Sequence, residues 1–112
     1  MDIELDELIR RRDELALLDV RSEREYAGVA GYPCDPRQGH IPGARNVELS
    51  ELFDRTPEQI EDLVGRPPGA EVVAYCHSGS RSALAVELLR AAGYEARNYP
   101  GSWHEWSRQP ES

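Results

Sequence analysis

The chain has 112 residues, 21 acidic and 13 basic, for a net charge of −8. Every basic residue is arginine, which excludes Schiff-base chemistry, lysine general bases and the lysine of nucleotide-binding loops. A chain this size and this acidic reads as one domain over residues 1–112, with neither nucleic acid nor an anionic membrane as its main partner.

In chain order, Ile3, Leu5, Leu8 and Ile9 share a helical face within Ile3–Arg12. The run Leu15–Val20 suits a strand buried on both faces. Ser22 with Glu25 forms a capping-box pattern that opens a short helix. Gly28 to Gly43 holds four glycines and three prolines without periodicity and reads as a loop. Ala44–Leu49 is a candidate strand, with Ser50 capping a helical turn. Pro57 suits the first turn of a helix reaching Val64 and stopped by Gly65. Glu71–Cys76 is the clearest strand, and Ser82–Ala92 a helix closed by Gly93. Strands alternating with helices predict an α/β domain on a mostly parallel sheet. Ligands of such sheets sit beyond the carboxyl ends of the strands, where Cys76 falls.

The chemistry concentrates at Cys76-His77-Ser78-Gly79-Ser80-Arg81, between that strand and that helix. Small residues let the loop turn its backbone N–H groups toward the cysteine sulfur. The helix N-terminus behind it favours an anion, and Arg81 is expected to add positive charge facing the pocket. Each effect lowers a thiol pKa, and the thiolate is the nucleophile. Gly79 is expected to carry a positive φ. The same cradle would hold the extra sulfur of a persulfide.

Leu17-Leu18-Asp19-Val20-Arg21, Gly39-His40-Ile41-Pro42-Gly43-Ala44 and Cys76–Arg81 resemble, in order and spacing, three signatures of the rhodanese sulfurtransferases. Gly101-Ser102-Trp103-His104-Glu105-Trp106 is similar to that family's closing motif. The resemblance spans essentially the whole chain. It implies a five-stranded sheet flanked by helices on both faces, and a ping-pong reaction. In it Cys76 takes sulfane sulfur from a donor such as thiosulfate and passes it to cyanide, a thiol or a protein acceptor. His77, Ser78, Gly79, Ser80 and Arg81 would bind the substrate, and no cofactor is implied. A related phosphatase group has five residues between cysteine and arginine; here there are four, a smaller ring that favours sulfur over phosphate. A protonated His77 would help attract thiosulfate and a neutral one would not. Arg81 tips the reading toward thiosulfate. The alternative is a relay module that hands sulfur to a protein, with little turnover of free thiosulfate.

Asp19, Arg21 and His40 are read as structural supports, since sulfur transfer from a thiolate needs no proton abstraction. Trp103 and Trp106, three apart, are read as packing one face of a C-terminal helix. Cys34 is read as a spare loop thiol, a relay role staying open if its loop folds over the pocket. Cys34, Cys76, His40, His77 and His104 show no Cys-x-x-Cys or His-x-x-x-His spacing, so no metal is expected.

No apolar run approaches the ~20 residues that cross a bilayer, and Met1-Asp2-Ile3-Glu4 lacks a signal-peptide pattern. Two cysteines suit a reducing compartment, so a cytoplasmic location is expected; the sequence leaves the oligomeric state open. Salt adaptation and genome composition would both produce the arginine bias.

Overall fold

The computed structural model describes residues 2–109. Its elements are α1 (Leu5–Arg11), β1 (Ala16–Asp19), α2 (Glu23–Ala27), β2 (Arg45–Asn46), α3 (Pro57–Val64), β3 (Glu71–Tyr75), α4 (Ser80–Ala91), β4 (Glu95–Asn98) and α5 (Ser102–Trp106). Short 3-10 turns follow α1 and β2.

All strand pairs are parallel, in the order β2-β1-β3-β4. The central strands are apolar on both sides because both sides are covered. Leu18, Val72, Ala74 and Cys76 belong to one core, with Ile60 and Val64 of α3 and Ala85, Val86 and Leu89 of α4. Leu17, Val73 and Tyr75 face the other core, with Leu8 of α1 and Trp103 and Trp106 of α5. The two tryptophans are thus core residues, buried to 3% and 7% exposure.

Four strands form among the described residues, not five. The N-terminal segment adds a single parallel bridge, Asp2 to Asn98, with Ile3 N–H donating to the Asn98 carbonyl at 2.9 Å. It goes no further because Glu4 is already the N-cap of α1. The expected strand Ala44–Leu49 shrinks to two residues, since Leu49 enters a 3-10 turn capped by Glu48 rather than Ser50. β4, too short and charged to announce itself, is held by pairing with β3.

Local signals worked where the hydrogen bonds are local. Ser22 and Glu25 form a reciprocal capping box, and Thr56 with Gln59 forms a second, one residue before Pro57. Among the described residues no helix is long and apolar enough to cross a membrane.

Candidate active site

β3 ends at Tyr75, and Cys76 begins the loop that rises into α4. Register places Asp19, the last residue of β1, beside Tyr75. The site therefore sits at the carboxyl ends of the two central strands.

Cys76 is 1% exposed. Gly79 N–H donates to its sulfur at 3.1 Å, and the Ser82 hydroxyl lies 3.4 Å from it. Burial pushes the thiol pKa up, but hydrogen bonds from the Ser82 hydroxyl and from the amides of Ser82, Gly79 and Ser78 outweigh it, leaving the pKa below the ordinary thiol value. The cradle depends on Gly79, whose φ is +98°; a Cβ there would meet the Pro100 carbonyl oxygen at 2.9 Å.

Hydrogen bonds from α5 aim the cradle. The Cys76 and His77 carbonyls accept from Trp103 N–H at 2.9 Å and His104 N–H at 3.0 Å. Cys76 N–H donates to the Ser102 hydroxyl at 3.0 Å, and that hydroxyl donates to the Tyr99 carbonyl at 2.8 Å. With its first carbonyls drawn toward α5, the loop leaves its later amides free to face the sulfur. Ser102 does this at a φ of +53°, rare for a residue with a side chain.

Ser82 and Asn98, absent from the sequence-based site, complete it. Asn98 donates through Nδ2 to the Gly79 carbonyl at 3.2 Å, which orients its Oδ1 toward Ser82 at 2.6 Å. One hydroxyl proton cannot serve both Asn98 and Cys76. With a neutral thiol, Ser82 donates to Asn98 and the S–H can donate to Ser82. With a thiolate, the same proton can turn to sulfur.

The charged residues fall differently from expectation. The Arg81 guanidinium makes a bidentate pair with Glu25, at 2.9 and 3.1 Å. Arg81 is near enough to Cys76 for the thiolate to help hold its pKa up, after the larger effect of Glu25. Its charge is nevertheless matched by the Glu25 carboxylate. The partner lies on α2, 56 residues away, where no loop spacing reveals it. Burial pushes the Glu25 carboxyl up, but Arg81 and the Ser22 backbone pull it down to about 2.

The His77 ring is held by Asp35, Tyr32 and His104. Its Nε2 donates to Asp35 Oδ2 at 2.9 Å. Burial lowers its pKa, and the facing His104 adds to that against the pull of Asp35. This favours the neutral imidazole, which serves as a hydrogen-bond donor to Asp35. Ser78 supplies an amide to the sulfur, while Ser80 starts α4 on the exposed side.

Asp19 and Arg21 are a fully buried pair, closest at 2.7 Å, and Arg21 also donates to the Gly39 carbonyl at 2.5 Å. Arg21 lies 5.2 Å from the centre of the Trp103 ring. The pair ties β1 to the Gly39–Ala44 loop and to α5. His40 stacks on Tyr26 at 3.7 Å and its Nδ1 donates to the Tyr26 carbonyl at 2.9 Å. A cleft of about 710 Å³ has His40 and Trp103 in its wall but not Cys76, so it is separate from the cysteine cradle.

The rhodanese-like domain family matches residues 3–109. The chain belongs to the rhodanese-like family. This rhodanese-like domain is 35% identical over 108 residues to a thiosulfate sulfurtransferase of Azotobacter vinelandii, covering 88% of the chain but 39% of that protein. It thus spans well under half the length of the curated relatives it matches. A solved probable thiosulfate sulfurtransferase superposes with a TM-score of 0.83 at 47% identity, over 96% of this chain and 44% of that one. The human single-domain sulfurtransferase TSTD1 superposes with a TM-score of 0.74 at 32% identity, over 98% of this chain and 97% of its own.

Proposed function

We propose that this rhodanese-like domain is a sulfurtransferase that carries sulfane sulfur on Cys76. The observation that carries the reading is the buried Cys76 sulfur with Gly79 N–H on it at 3.1 Å and a thiol pKa below the ordinary value. In the first half-reaction the thiolate attacks the outer sulfur of thiosulfate. A new S–S bond forms, the donor's S–S bond breaks, and sulfite leaves with the bonding pair. In the second, an acceptor such as cyanide attacks the outer persulfide sulfur and leaves as thiocyanate, returning the thiolate. No proton transfer is required in either step, which suits a site whose His77 is neutral and turned to Asp35. The amide cradle, more than a free guanidinium, stabilises the persulfide anion.

One observation favours a protein acceptor as well. Glu25 matches Arg81, His77 is uncharged and the chain carries −8, so little attraction draws a small dianion to the cradle. A docked sulfur donor or acceptor protein would not depend on that attraction. The reduced thiols suit a cytoplasmic setting.

Mass spectrometry after incubation with thiosulfate tests the reading. A single-sulfur adduct, removed by cyanide and absent from Cys76→Ser, is expected. An adduct undiminished in Cys76→Ser would overturn it. Adduct formation with negligible cyanide turnover would point to the protein acceptor.

A further inference from the structure

The loop that carries Cys34 folds over the flank of the active site. Asp35 N–H donates to the Tyr32 carbonyl at 3.1 Å, and the Tyr32 ring packs edge-on against His77 at 3.8 Å. Asp35 thereby reaches the interior with its side chain fully buried. His77 comes from the Cys76 loop and His104 from α5, already linked by the His104 N–H bond to the His77 carbonyl. Donor atoms of Cys34, Asp35, His77 and His104 all lie within 4.8 Å of one another.

We propose that these four residues bind a thiophilic divalent cation, zinc(II) being the best match. A tetrahedral zinc ion holds nitrogen and oxygen at about 2.0–2.2 Å and sulfur at about 2.3 Å, which sets its ligand atoms roughly 3.3–3.7 Å apart. The spacings here are 2.9 Å from Asp35 Oδ2 to His77 Nε2, 3.6 Å from Oδ1 to His104 Nδ1 and 3.9 Å from Oδ1 to Cys34 Sγ. All four donor atoms lie within 4.8 Å of one another, so closing onto one ion takes movements of up to about an ångström, which the exposed Cys34 and His104 side chains allow.

The charges balance. A Cys34 thiolate, the Asp35 carboxylate and two neutral imidazoles carry −2, matching a dication. Without metal, Arg108 supplies the balancing charge, its Nη1 standing 3.1 Å from Asp35 Oδ1 and its Nη2 donating to the Cys34 carbonyl at 3.0 Å. Metal binding breaks the Arg108–Asp35 contact and releases that partly exposed side chain. The Cys34 thiol loses its proton to solvent as the metal–sulfur bond forms. The His77 proton moves to Nδ1, so that the Nε2 lone pair faces the metal. The ligand set is mixed sulfur, nitrogen and oxygen, which suits zinc and cobalt better than calcium or magnesium.

Sequence spacing conceals this site because its ligands come from three separate segments. It also leaves Cys76 out, so it stands independently of the sulfur-transfer reading. The metal would hold His77 neutral and fix the start of the cradle.

Cobalt(II) is the probe, added to the Cys76→Ser protein, in which Cys34 is the one remaining thiol of two. A thiolate-to-cobalt charge-transfer band with strong four-coordinate d–d bands, saturating at one equivalent and abolished by zinc, is expected. The charge-transfer band should vanish when Cys34→Ser is added. In the otherwise intact protein, competition with a chromophoric chelator should show zinc affinity falling at least tenfold on Cys34→Ser and on His104→Gln, two exposed positions. Absence of the band in folded Cys76→Ser protein would overturn the proposal. So would zinc affinity that survives Cys34→Ser, or that disappears only with Cys76.

Discussion

The two cysteines lie on adjoining loops, and their surroundings make them different chemical groups. Cys76 is buried at a strand end, with backbone amides and a hydroxyl on its sulfur. Cys34 is exposed, its sulfur 3.9 Å from a carboxylate and near two imidazoles. Amide donors stabilise a sulfur anion yet leave its lone pairs free to attack. Carboxylate and imidazole are themselves ligands, and a sulfur among them is placed to share a cation. Reactivity follows from which dipoles face the sulfur, since the side chain is the same.

Cys76→Ser tests this contrast with the largest effect. Sulfur transfer should fall to background, while Cys34→Ser keeps the cyanide-labile adduct; loss of the adduct in Cys34→Ser instead would make Cys34 part of the transfer route. Gly79→Ala comes next, because a Cβ would strike the Pro100 carbonyl at a φ that side chains avoid. It should cost about 1–3 kcal/mol of stability in urea unfolding. Relieving that contact moves the backbone and carries the residue-79 N–H off the sulfur, which should also raise the Cys76 pKa by about one unit, read from the pH midpoint of iodoacetamide alkylation. An unmoved midpoint would remove Gly79 N–H from the cradle's working parts.

Ser82→Ala removes the hydroxyl from the sulfur and leaves buried Asn98 Oδ1 without its donor. A loss of about 1–3 kcal/mol in stability is expected, with a rise in the alkylation midpoint at least as large as for Gly79→Ala, because the Ser82 hydroxyl is the leading hydrogen bond that lowers the Cys76 pKa. A clearly smaller shift would mean that the hydroxyl stays on Asn98 and leaves the thiolate to the amides.

Glu25→Gln should have a smaller effect, and in the opposite direction. Glutamine preserves the capping box with Ser22 but unmasks Arg81. The reaction with thiosulfate should speed up a few-fold, by about 1 kcal/mol or less, and the gain should shrink as salt rises. A rate unchanged at low salt would show that Arg81 takes no part in attracting the donor. The same pair gives the weakest signal, in acid. The Glu25 carboxyl is held at about 2, below its unfolded value of ~4.3, so its contribution to stability is complete above ~4.3 and is lost as pH falls toward 2. Urea midpoints measured down this range should fall less steeply for Glu25→Gln.

What the sequence determined by itself is what short-range bonds build. The Ser22–Glu25 box and the Gly79 N–H bond to the Cys76 sulfur close within three residues, while β1 and β3, though paired with each other only across the fold, announce themselves as continuous apolar runs. Gly79 was legible for the same reason, since a loop closing on its own sulfur needs a positive φ. Tertiary structure decided the partners of the charges. Arg81 meets Glu25 across 56 residues, and His77 meets Asp35 across 42. Ser102, Trp103 and His104 reach the Cys76 loop only because α5 packs beneath it. β4 likewise exists through its pairing with β3. A hydrogen bond three residues long is written in local spacing, whereas a charge takes its partner from whichever segment the packed core brings within a few ångströms. For that reason the cradle around Cys76 could be read from the chain, but the neutralised arginine and the Cys34 cluster could be read only from the fold.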